Sequence, residues 1–345
     1  MYKKIFLIFT IIILSYSAAD AQLGSYAGSF ARMGFGARGL SMGNAMVSDI
    51  FGDVNGYYNP ALACFQENGF VNLGYTAMTM DRKLNYVGFA RKFPLPNQPK
   101  GGAGITLSWI NSGVSNIDGR DNDAKQIGMF STYENQFYLG TGFLLDENVA
   151  VGVGFKLYYS KLYDQVKTTS VAFDLGAIYK MRPDLSLGFS VHDISARYKW
   201  DTSPIYGPGA GSTTENKFPV LADIGATYLF PKNFGTATVE LETDINPGFE
   251  SSDTAGILTV SNKTYNYVIK IGTEIRLSEQ LKIRAGIDRI DFKADDFWGN
   301  VKPCFGIGFY KPLNKEITLG IDYSFQLEPF SHDGIHNIGI GFKFK

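Results

Sequence analysis

Six stretches spread along the chain put apolar residues at nearly every second position, with glycine or polar residues mostly between them. From Val149 to Tyr159 the odd positions read Val, Val, Val, Phe, Leu, Tyr and the even ones Ala, Gly, Gly, Lys, Tyr. The same beat runs through Leu185 to Val191, Tyr267 to Leu277, Leu281 to Ile287, Ile317 to Leu327 and Ile338 to Phe344. Successive side chains of a strand point to opposite faces, so each stretch describes a strand with one oily and one polar side. Repeated from end to end behind an export signal, the pattern predicts an all-β fold: a transmembrane antiparallel β-barrel.

The export signal is legible at the start. Lys3 and Lys4 form a short basic region, Ile5 to Leu14 an apolar core, and Ala19-Asp20-Ala21 a small-residue cleavage site. An apolar core of about ten residues is about 15 Å long as a helix, half of what the hydrocarbon layer requires. It therefore reads as a signal peptide, residues 1–21, and no Cys stands beside the cleavage point to make a lipoprotein. No later segment has the roughly 18 consecutive apolar residues of a spanning helix. The mean hydropathy of −0.06 looks soluble, but half of each barrel strand faces the lumen and is free to be polar. An aromatic content of 14% and 39 glycines fit aromatic girdles and close packing between strands.

Period-2 runs bounded by turn residues predict fourteen strands: 69–79, 83–93, 102–110, 134–145, 148–159, 169–180, 184–193, 218–229, 234–244, 264–276, 280–290, 302–311, 316–327 and 336–344. The second alternates poorly. Connector lengths supply a separate test, because such barrels have short periplasmic turns and long outer loops. Tight connectors follow the even strands, as at Asp146-Glu147 and Leu277 to Glu279. Long ones follow the odd strands from the third onward, as at Asn111 to Tyr133, Ser160 to Thr168, Ile194 to Lys217 and Ile245 to Lys263. Residues 69–345 are thus expected to form one barrel with both termini in the periplasm. The closing beat of Ile338, Ile340, Phe342 and Phe344 resembles a terminal assembly signal, displaced one residue from the end by Lys345.

Residues 22–68 do not alternate. They are rich in Gly, Ala, Ser and Met, and small residues let a backbone approach a wall closely. The expectation is a small N-terminal hatch, with a loop and short helix packed at the barrel mouth as the plainer alternative. Here Gly36-Ala37-Arg38, Met42-Gly43, Ala45, Asp53 and Asn59-Pro60-Ala61 resemble the run found after the signal peptide in the PorV/PorQ family, within the broader FadL-like outer-membrane barrels. That resemblance implies a fourteen-stranded barrel in the outer membrane of a Gram-negative-type bacterium, with a hatch in its lumen built on those residues. PorV-like members accompany cargo in type IX secretion, whereas FadL-like relatives pass hydrophobic small molecules. The first implies partners among secretion components and cargo, acting through outer loops, and the second a gate at Asn59-Pro60-Ala61.

Enzyme chemistry finds little support. His192 shares a polar face with Ser186 and Ser190, which reads as a hydrogen-bonded structural histidine; His332 and His336 straddle a loop and a strand start. Asp118, Asp121 and Asp123 are similar to a calcium loop, but its Gly and terminal Glu are misplaced, and a solvated loop is the expectation. No catalytic residue, metal site or cofactor is expected, and a net charge of −1 gives no footing for nucleic acid. Cys64 and Cys304 either pair or remain buried thiols. Lys156, Asp174, Lys180, Glu240, Glu242, Lys270, Glu274, Arg276, Lys282, Arg284, Asp288 and Asp322 fall in the polar register and should face inward. Arg or Lys facing mid-bilayer lipid would cost about 2–4 kcal/mol each. Both signs in near balance suggest ion pairs that stiffen the wall rather than a selective ion path. Tyr133, Phe137, Tyr163, Trp200, Tyr206 and Trp298 offer aromatic surface at the outer end, for a ligand or for seating in the headgroups.

Overall fold

Phe155 is 40% exposed while the next residue, Lys156, is 0% exposed, and that inversion runs around the whole molecule. Val151, Val153, Leu139, Phe173, Leu175 and Ile271 face outward, whereas Asp174, Ser190, Thr227, Glu274 and Arg284 are buried. The computed structural model describes residues 26–345 except 54–55, 79–80, 97, 208, 253–257, 293–300 and 329–330, so the expected signal peptide lies outside the described residues. Among the described residues no helix is long and apolar enough to cross a membrane.

Fourteen strands close into one antiparallel barrel. They are β1 (Gly69–Ala77), β2 (Lys83–Leu95), β3 (Gln98–Arg120), β4 (Gln126–Leu144), β5 (Val149–Tyr163), β6 (Val166–Arg182), β7 (Leu185–Ile194), β8 (Val220–Leu229), β9 (Gly235–Asn246), β10 (Thr264–Arg276), β11 (Leu281–Ile290), β12 (Pro303–Pro312), β13 (Ile317–Glu328) and β14 (Ser331–Phe344). The seam joins β1 to β14, with Gly69 opposite Phe344 and Ala77 opposite His336. Every strand expected from the alternation is present. The poor alternation of β2 has a local cause: its inner positions Leu84, Tyr86 and Ala90 are apolar because they meet protein, and Tyr86 stacks on Phe35 at 5.6 Å.

At one end the turns are tight and held by side chains. Asp146 Oδ1 accepts from the backbone N–H of Asn148 and Val149, and Asn314 Oδ1 does the same for Glu316 and Ile317. At the other end two expectations are corrected. The loop expected over 111–133 is instead a continuation of β3 and β4. Beyond Gly113 and Tyr133, where pairing with β2 and β5 ends, these strands pair only with each other as a free-standing ribbon. The loop expected over 160–168 shrinks to a turn between the paired Tyr163 and Val166. Beyond the barrel wall both faces of a strand are open to water, so oily alternation ceases although backbone pairing continues. The long connectors after β7 and β9 fold into two-stranded hairpins, Arg197–Asp201 with Thr213–Lys217 and Phe249–Ser252 with Leu258–Ser261.

Candidate functional site: the N-terminal segment and the inner wall

Residues 37–53 and 56–63 run along inward-facing glycines, and the order of contacts follows the wall. An added Cβ at Gly306 of β12 would meet Ser41; at Gly286 and Gly272 of β11 and β10, Met42; at Gly188 of β7, the Val47 carbonyl; at Gly176 of β6, Asn59; at Gly152 of β5, Ala61; and at Gly104 of β3, Ala63. All these approaches are under 3 Å, so only glycine admits the segment at these positions. Sequence reading had taken such glycines as packing between strands. The missed signal was the glycine that recurs in the inward register of β3, β5, β6, β7, β10, β11 and β12.

The residues singled out by the motif are dispersed along this path rather than gathered at one point. Gly36, at φ 75°, starts a short helix, Ala37–Ser41. Gly43, at φ 61°, lies against the Ile287 backbone, and the fully buried Met42 lies between Gly272 and Gly286. Asn59 caps the 3₁₀ turn Pro60–Phe65 by accepting from Ala61 N–H at 3.0 Å, while its amide nitrogen reaches Val47 O at 3.0 Å and Ala177 O and Phe189 O at 3.1 Å. One side chain thereby ties two parts of the segment to β6 and β7.

Ion pairs complete the attachment. Arg38 meets Asp49 at 2.6 Å and Glu274 of β10 at 3.0 Å, and Arg284 of β11 reaches Glu274 at 2.8 Å and Asp322 of β13 at 2.6 Å. Burial disfavours the Arg38 cation, but Asp49 and Glu274 more than offset it, and its proton is held more tightly than usual. Val47 N–H donates to Glu240, which shares Lys270 with Glu242. Asp288 accepts from Asn44 and Gln326. Near the tight-turn end Asp53 pairs with Lys343 of β14 at 2.5 Å; burial raises its pKa, but Lys343, Lys282 and Arg38 together bring it below the ordinary range. The charges expected to face the lumen do so, with Lys180, Arg276 and Lys282 lining a hollow at the tight-turn end.

On the β5–β7 side, Lys156 lies between Asp174 at 3.0 Å and Asp193 at 2.9 Å. His192 Nδ1 meets Asp174 and Nε2 meets Ser190 Oγ, both at 2.9 Å, distances that suit a Ser–His–Asp triad. The surroundings do not suit one. Nε2 also faces Tyr58 O at 3.2 Å, so both ring nitrogens meet acceptors and neither is left as a base. Ser190 is fully buried and donates to Asp223 at 3.3 Å. The group ties β6, β7 and β8 to the N-terminal segment.

Of the remaining candidates, Asp121 accepts from Asp123 and Lys125 N–H within the ribbon turn, and Asp118 pairs with Arg120. His336 bonds the Tyr323 hydroxyl at 2.8 Å. Cys64 and Cys304 are free thiols. Phe137 faces outward, Tyr206 is exposed, and Trp200 packs on Tyr198 beside Phe218 and Tyr158. Trp298 and the His332 side chain lie outside the described residues.

No family model matches the sequence, and no curated relative matches it. Solved structures do share the fold. The toluene transporter TodX of Pseudomonas putida aligns at TM-score 0.59 and 14% identity, over 90% of this chain and 98% of that one. A Pseudomonas aeruginosa FadL homologue aligns at TM-score 0.58 and 12% identity, over 89% and 97%. The monoaromatic hydrocarbon channel CymD aligns at TM-score 0.57 and 12% identity, over 91% and 98%. The chain is a closed fourteen-stranded barrel that shares the fold of these three proteins.

Proposed function

We propose that this protein is a non-enzymatic outer-membrane channel for hydrophobic small molecules, gated by its N-terminal segment acting as a hatch. One observation carries the reading. An apolar hollow of about 560 Å³, walled by Val87, Phe89, Leu107, Trp109, Phe137 and Leu139, opens on the lipid-facing surface of β1–β5. Its apolar lining is the chemistry that a hydrophobic small molecule seeks. Tyr138, on the inner face of the same stretch of wall, donates its hydroxyl to Gly56 O of the segment at 3.0 Å, so the segment is attached directly behind the hollow. Strand register across the hollow is unbroken, so passage requires the segment or the wall to move. The transport of hydrocarbons named for TodX and CymD agrees with this reading.

The test uses a native cysteine. A Cβ at Gly142 of β4 would lie 2.7 Å from Cys64 Sγ and 3.0 Å from Pro60 O, so Gly142→Cys can bridge segment and wall once the segment gives by a few tenths of an ångström, and the reduced variant is the control for that shift. Burial pushes the Cys64 thiol up to about 11, so bridging needs an added oxidant at alkaline pH. In cells carrying the oxidised variant, uptake of a fluorescent aromatic probe should fall to that of cells without the protein, and a reductant should restore it. Unchanged uptake with the bridge complete, or no uptake through the wild type, removes the reading.

A PorV/PorQ-type role in docking exported cargo draws on another feature: the ribbon formed by residues 114–120 and 126–132, which exposes Ile127 and Met129. The comparisons give that role no support. Its test is to shorten the ribbon and follow secreted cargo; unaltered cargo with the ribbon gone would end it.

A further inference from the structure

The tight-turn end of the barrel holds a hollow of about 930 Å³ whose charge differs from that of the rest of the chain. Lys92, Lys180, Lys232, Arg276, Lys282 and Lys343 line it against Asp53, Glu67 and Glu279, six cations to three carboxylates, or +3, in a protein of net charge −1. Two of the cations are engaged with the N-terminal segment. Lys343 pairs with Asp53, and Arg276 donates to Phe51 O at 2.7 Å. Among the described residues Lys92, Lys180, Lys232 and Lys282 have no carboxylate within ion-pair distance, although Lys282 lies over the Tyr310 ring at 4.2 Å. A concave site lined by one excess sign concentrates the field at its mouth and selects opposite charge.

We propose that this hollow docks an acidic, extended segment of a periplasmic protein partner. Three features set the chemistry. The excess is positive, so the partner is acidic. The free lysines belong to separate strand ends: Lys92 on β2 and Lys180 on β6 are four strands apart, about 19 Å along the wall, and Lys232 lies in the turn after β8. A compact anion reaches one of them, whereas an extended chain bearing several carboxylates reaches all. Phe51, Phe65, Phe234 and Pro183 line the same hollow, so the segment also carries apolar side chains. A carboxylate arriving here competes with Asp53 for Lys343, which places the partner against the loop that holds the segment in place.

The experiment is fluorescence anisotropy of a labelled peptide of Asp and Glu with two Phe, titrated with the full-length protein in detergent. Binding should weaken with added salt, and the Lys92→Gln, Lys180→Gln, Lys232→Gln triple variant should bind about tenfold or more weakly. Lys232→Glu alone, a change at an exposed turn position, should also weaken binding, and heat-modified gel mobility should match wild type in both. Equal affinity for a peptide with Gln and Asn in place of the acids overturns the proposal. So does equal affinity of wild type and triple variant, or binding of polyphosphate but not of the peptide. The probe-uptake assay does not read these lysines, so failure here and failure of the channel reading are separable.

Discussion

Arg38 Nε lies 3.0 Å from Glu274 Oε2, joining residues 236 positions apart in the chain, and both side chains are buried. Removing one member of such a pair leaves a charge without water or partner, a loss of about 3–5 kcal/mol. Arg38→Met, which also strips Asp49 of its cation, should lower unfolding stability in detergent by that amount. A shift near zero in the urea midpoint would show that the pair does not anchor the segment.

The close approach at the inner glycines gives a second expectation. A Cβ at Gly188 would lie 2.3 Å from the Val47 carbonyl oxygen, a backbone atom that cannot rotate away, whereas one at Gly209 meets nothing within 4 Å. Gly188→Ala should cost about 1–3 kcal/mol and speed proteolysis of the segment. Gly209→Ala should stay within about 0.5 kcal/mol of wild type. Equal behaviour of the two variants would contradict the packing described.

Acid should weaken the Asp53 latch in a defined direction. Its pKa is depressed in the folded protein, so its contribution is fully present above the unfolded value near 3.8 and fades as pH falls through the lower folded value. The stability gap between wild type and Asp53→Asn should therefore be flat through neutral pH and close below the ordinary aspartate range. Urea titrations at stepped pH read this directly, and a gap that widens in acid would reverse the assignment.

Val153 faces outward from β5, three residues before the inward Lys156. Val153→Arg should cost about 2–4 kcal/mol in a bilayer if the position is central, and far less in a detergent that lets the side chain reach water. Equal costs in both media would mean that this face does not meet lipid.

The wall was legible because lipid on one side and a packed polar interior on the other impose opposite demands on successive residues. Val151, Val153 and Phe155 against Gly152, Gly154 and Lys156 leave no other reading. The ribbon beyond Gly113 and Tyr133 was not legible, since two wet faces impose no alternation. The ion pairs could be assigned to the interior by face, but not partner by partner: that Glu274 receives Arg38, Arg276 and Arg284 depends on how the segment is threaded. Nor does a motif centred on Asn59 disclose that its amide reaches two neighbouring strands; that follows from the glycine at Gly176.

The route taken by residues 37–53 and 56–63 also constrains how the molecule is made. A chain wound against the inside of nearly every stave precedes the first stave in sequence, and the first and last staves meet only at the seam of Gly69 and Phe344. That contact spans the whole barrel sequence and is among the slowest kind to form. The interior of the cylinder is therefore occupied by the stretch of chain that precedes its first stave.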